Sequence, residues 1–135
     1  MPKIDVSFIL LSVLCLIVGI AMGIVMGAAH DFTFTPVHAH LNLLGWTSLA
    51  LFGLVYKSYP ALKNSWLANT HLILSGSTAV IFPVGIYVSI AHQNPALAIA
   101  ASFVALAGIL VFFANLVRVF FFAEKATPTA EEALA

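Results

Sequence analysis

Apolar run length constrains this chain more than any other feature. Four stretches, residues 4–29, 37–56, 66–91 and 95–123, carry very little charge. Each reaches the ~20 residues that an α-helix needs to cross a ~30 Å hydrocarbon core. The runs are continuous rather than alternating, which argues against membrane strands. With 62% hydrophobic and 7% charged residues among 135, too little polar surface remains to clothe a soluble domain. The expectation is an all-α membrane protein with four transmembrane helices over residues 1–126, then a short flexible tail at 127–135. The first run follows Lys3 and ends on Gly27-Ala28-Ala29, in the manner of a signal peptide, but it is too long for the apolar part of one.

Orientation follows from the cations. Four spans place the N-terminus, the segment between the second and third runs and the C-terminus on one side. Lys3, Lys57, Lys63, Arg118 and Lys125 all fall there. The positive-inside rule therefore predicts cytoplasmic termini, in a multi-pass protein of a bacterial-type inner membrane. The expected partners are the lipid bilayer and further copies of the chain; a formal net charge of zero gives no footprint for nucleic acid. Cys15, the single cysteine, has no partner for an intrachain disulfide.

Local signals agree with this layout. Thr35-Pro36 and Asn94-Pro95 each read as a capping residue before a proline at the first helical position. Pro83 predicts a bend in the third helix, eased by Gly85. Cys15, Gly19, Gly23 and Gly27 form a small-residue stripe along the first helix, and Ala101, Ala105 and Gly108 a softer one on the fourth. Such stripes let another backbone approach closely, within the chain or between copies. Arg118 reads as snorkelling to the headgroups, Tyr56, Tyr59 and Trp66 as interfacial belt residues, and Asn115 as an interhelical hydrogen bonder.

Five histidines in so apolar a chain are the main chemical signal, because ionisable residues within membrane spans are costly and mark sites or cavities. His30 and His92 read as outer capping or headgroup residues. His38 and His40, two apart on the second helix, point about 200° from one another. They cannot readily hold one metal ion together, but they can serve two centres on opposite sides. A purely structural alternative has His38 at the headgroups and His40 bonded to a neighbouring carbonyl. Asn42 as a hydrogen bonder, Gly45 as a flat patch and Trp46 as an aromatic wall favour a porphyrin lying against this helix. His71 enters from the opposite side of the membrane, roughly 15 Å from His40 in depth at ~1.5 Å per residue. The two cannot clamp one haem. A bis-histidine site is then best built between copies, His38 of one chain facing His40 of the next, as in a cyclic oligomer.

The stretch Val37-His38-Ala39-His40-Leu41-Asn42-Leu43-Leu44-Gly45 resembles the His-x-His helix of the haem–copper oxidase catalytic subunit, whose superfamily includes the nitric oxide reductases. There the two histidines ligate two haems from opposite faces of one helix, and twelve helices form three four-helix arcs. This chain is similar to a single arc. The resemblance implies a homotrimer, non-covalent haem b held by His38 and His40, and up to three haems between neighbouring second helices. Departures matter too: the family's copper centre needs His-x-x-x-Tyr and an adjacent His-His pair, whereas Asn42 follows His38 by four and Ser75 follows His71 by four. Three copies of His71 could still form a copper or zinc site. Without the copper centre the implied role is electron transfer or residual oxygen or nitric oxide chemistry, as an oxidoreductase if an enzyme, with a donor the sequence does not name. No Cys-x-x-Cys-His occurs, which excludes covalent c-type haem. Two further readings remain open: a histidine-based metal-ion (copper) binding or transport protein, and a haem-free structural subunit packing through its glycine stripe.

Overall fold

The computed structural model describes residues 3–122. The expected tail at 127–135, Lys125 and the end of the fourth run at Ala123 lie outside the described residues. Four helices are long and apolar enough to cross a membrane: α1 (Ile4–Ala29), α2 (Thr35–Ser58), α3 (Trp66–His92) and α4 (Ala96–Phe122). A single 3-10 turn, Pro60–Lys63, joins α2 to α3, and no strand occurs among the described residues. Helix α1 packs on α2 and α3 packs on α4, while contacts of α2 with α3 join the two pairs.

Capping departs from expectation at α2. Thr35 is already helical, and its hydroxyl donates to Phe32 O at 2.7 Å instead of accepting from the helix. Proline at the second position explains the shift, since the freed N–H that a cap would satisfy at that position is missing. At α4 the side chain of Asn94 does accept from the helix, taking the Ala96 N–H at 3.1 Å across Pro95. Ser65 caps α3 through Leu67 N at 3.1 Å. The ends of α1 and α3 turn out of the helix at His30 (φ 51°) and Gln93 (φ 54°), left-handed positions more often filled by glycine or asparagine. Helix α3 runs unbroken through the buried Pro83.

One feature of α2 gave no sequence signal. From Leu41 to Ser48 the helix widens into π geometry, and the Ser48 hydroxyl bonds back five residues to Leu43 O at 2.8 Å. Long π segments are rare and concentrate at functional sites. This one begins at the residue after His40.

The densest core lies at the end of the bundle where α1 starts. Ile4, Phe8, Leu49, Tyr56 and Leu62 are buried there, tied down by a Lys63–Asp5 ion pair at 2.8 Å. Tyr56 is thus a core residue and not a belt residue. Trp66 and the Phe120–Phe122 run are exposed, as side chains in contact with lipid should be. Between α1 and α3, over Val37 and Leu41 of α2, lies an apolar crevice of about 520 Å³.

Candidate functional site

The small-residue stripe of α1 meets the histidine segment of α2, residue against residue and antiparallel. A Cβ built on Gly19 would stand 2.6 Å from the amide of Asn42, and one on Gly23 would stand 3.2 Å from His38 Cε1. At the third step the glycine changes sides: a Cβ on Gly45 would lie 2.8 Å from Cys15 Cβ and Sγ. The expectation of Gly45 as an open bed for a porphyrin is therefore corrected, because α1 occupies that face. Asn42 is engaged within the chain as well, donating to His38 O at 2.9 Å. The stripe is used inside the chain over Cys15, Gly19 and Gly23. Only Gly27 has nothing near it.

His38 and His40 diverge as their spacing requires. His38 is half-buried with its ring against Gly23 of α1. Its Nδ1–Cε1–Nε2 edge lies along that glycine, all three atoms within 4 Å of the added Cβ position. His40 is also half-buried and meets Phe82 of α3 edge-on, ring centroids 5.1 Å apart at 75°. Its Nδ1 lies 2.8 Å from Pro36 O. A carbonyl only accepts, so Nδ1 donates there, and Nε2 is the ring nitrogen left without a hydrogen-bond partner. A backbone carbonyl on the far nitrogen is the support that orients ligating histidines. It is also the bond that a structural histidine makes. Trp46 is half-buried within the π segment.

His71 has a different setting. Its ring is 0% exposed and lies among Phe8, Phe52 and Phe112, centroids 5.0, 4.5 and 4.7 Å away. It faces the core of its own chain and offers no surface to a neighbouring copy. A directional set of hydrogen bonds reaches it from α4. Asn115 Nδ2 donates to Leu62 O at 2.9 Å, while its Oδ1 accepts from Arg118 Nε and Nη2 at 3.2 and 3.0 Å, which fixes the amide orientation. The same Nδ2 donates to Tyr56 Oη at 3.5 Å, and Tyr56 Oη is hydrogen-bonded with His71 Nδ1 at 3.1 Å. His71 Nε2 is a buried atom with no hydrogen-bond partner. Arg118 does not simply snorkel: besides Asn115 it reaches back to Ala61 O at 3.4 Å. Sequence reasoning missed this network because Tyr56, His71 and Asn115 are far apart in the chain, and only the fold brings them together.

At the other end, His30 and His92 are exposed. The carboxylate of Asp31 accepts from the Thr33 hydroxyl at 2.6 Å and from its amide at 3.0 Å, and these bonds hold it below the usual carboxylate range. Among the described residues no three His, Cys, Asp or Glu side chains converge as a metal site. Compared with known families, curated proteins and solved structures, the chain matches none.

Proposed function

We propose that this chain is a b-type haem protein of a bacterial-type inner membrane, with cytoplasmic termini, that binds haem between neighbouring copies and transfers electrons. The observation that carries the reading is the 2.8 Å hydrogen bond of His40 Nδ1 with Pro36 O, which occupies that nitrogen and leaves Nε2 as the ring atom that would meet an iron. Haem bound there would supply one-electron chemistry at its iron. His40 would hold the iron from one chain and His38 from the next, in a closed ring of three.

The surroundings fit this in part. Gly45 and Asn42 are taken up by α1, so neither would line the haem, and a site between copies would rest on His38 and His40. Trp46, half-buried on the same helix, remains available as a wall. The apolar faces of the bundle exclude water and favour a neutral imidazole ligand over a charged one. With His38 and His40 of neighbouring copies both holding the group, the chemistry it would supply is electron transfer.

The test is protein purified in mild detergent after expression with haem supply. Native mass measurement should give three chains with non-covalent haem. Reduction should sharpen α and β bands, and carbon monoxide should leave the reduced spectrum unchanged. A haem-free monomer would remove the reading in favour of a structural subunit. Binding of carbon monoxide would instead open the way to oxygen or nitric oxide chemistry.

A further inference from the structure

We infer that the small cleft between α2 and α4, floored by α3, is a site for one ordered water molecule, which accepts a hydrogen bond from Ser75 and donates to Thr78 and Ser48. The site is independent of the haem reading.

Helix α3 carries hydroxyls along its length, and three of them are spent on their own backbone. Thr70 donates to Trp66 O at 3.1 Å, Ser77 to Leu74 O at 3.0 Å and Thr78 to Leu74 O at 2.8 Å. Such back-bonding is the usual resort of a hydroxyl within a helix. Ser75 departs from it. The residue is 8% exposed, and its oxygen faces α4, where a Cβ on Gly108 would stand 2.9 Å away. Unlike His71 Nε2, which is sealed off, Ser75 borders open space in the cleft. Helix α3 is 27 residues long, so at ~1.5 Å per residue Ser75 and Thr78 lie roughly 14–25 Å from its ends. Bulk water does not reach that depth in a bilayer, where a hydroxyl without a partner is costly.

The cleft has the size and the lining that a water needs. It offers about 40 Å³, against the ~10–15 Å³ that one water requires. Ser48, Ser75 and Thr78 border it, with Leu44, Phe52, Ala105 and Ile109 among the apolar residues of its wall. A hydroxyl has one proton to give and two lone pairs. Thr78 gives its proton to Leu74 O, and Ser48 gives its own to Leu43 O at 2.8 Å, so both can only accept. Ser75 still has a proton to give. A water that accepts from Ser75 and donates to Thr78 and Ser48 makes three bonds, the number typical of buried water. The apolar remainder of the wall has nothing to hold a second one. Because Ser48 is the last residue of the π segment, the same water would tie that segment to α3.

The test uses the full chain, isotope-labelled and in deuterated detergent, with magnetisation transferred from water to the protein. Ser75 and the Thr78 methyl group should receive transfer in wild type. Ser75→Ala removes the only donor and should weaken the transfer at Thr78. Ser77→Ala, which removes a hydroxyl bonded to Leu74 O outside the cleft, should leave it unchanged. Ala105→Leu keeps all three hydroxyls and fills the space, so transfer at Thr78 should be lost. If that variant does not fold, Thr78→Val serves, with weakened transfer expected at Ser75. Xenon should leave the Leu44 and Ile109 methyl signals of wild type in place, because a hydrated cleft has no room for it. Absence of transfer in wild type, undiminished transfer in Ser75→Ala, Thr78→Val or Ala105→Leu, or a xenon shift of those methyl signals overturns the inference. Transfer to the Thr78 methyl from the chains of a protonated detergent, in place of water, marks an apolar occupant and overturns it as well.

Discussion

His71 and His40 are the same residue type on neighbouring helices, and their surroundings differ in almost every respect. His71 is wholly enclosed, with Nδ1 hydrogen-bonded to the Tyr56 hydroxyl and Nε2 left without a partner in a cage of phenylalanine rings. His40 is half-exposed, donates a hydrogen bond from Nδ1 to its own helix and leaves Nε2 without a partner. One imidazole has been absorbed into the packing; the other is held at the edge with its ligating atom unspent. The partner of Nδ1, a backbone carbonyl for one and a buried phenol for the other, separates the two more sharply than position along the bundle does.

Substitutions can break this contrast, because the enclosed region should govern stability and the flank of α2 should govern the cofactor. Phe8→Ala should have the largest effect, about 3–5 kcal/mol as for other buried aromatic truncations, read from denaturation in mixed micelles. Phe8 stacks on Tyr56 at 5.6 Å and also contacts His71, so its loss opens the whole cage. Asn115→Ala should cost about 1–3 kcal/mol by stripping Leu62 O of its buried donor. Tyr56→Phe keeps the ring and removes only the hydroxyl, for which about 0.6–1.7 kcal/mol is expected from hydrogen bonds between membrane helices. His40→Ala should change stability by less than about 0.5 kcal/mol in the haem-free protein. A His40→Ala cost as large as that of Phe8→Ala would erase the distinction between the two sites.

The smallest effect lies in the loop between α1 and α2. Hydrogen bonds from Thr33 hold the Asp31 carboxyl below its usual range. Their contribution is therefore complete above the ordinary carboxylate pKa and fades as pH falls through the lowered one. The Thr33 amide signal should titrate at that lowered pH and lose its titration in Asp31→Asn.

Much of the architecture was legible in the sequence, because length and hydropathy act locally. The four spans came within a few residues of the observed ends, and the opposed directions of His38 and His40 followed from helix geometry alone. Thr35 misled because Pro36 lies second in the helix, not first. Gly45 misled because a glycine gives no sign of which neighbour fills it, and Cys15 does. Tyr56 looked like a belt residue by its position near the end of a run, yet pairing with His71 and Asn115 draws it inside. The π segment at Leu41–Ser48 packs against α1 and α3, and composition gives no sign of it.

The most direct test compares reduced-minus-oxidised absorption spectra of wild type, His38→Ala, His40→Ala and His71→Asn in detergent. The account predicts bis-histidine α and β bands in wild type and in folded His71→Asn, and their loss or conversion to high spin in each of the other two. Bands that persist in both His38→Ala and His40→Ala, or that vanish only with His71, would contradict it.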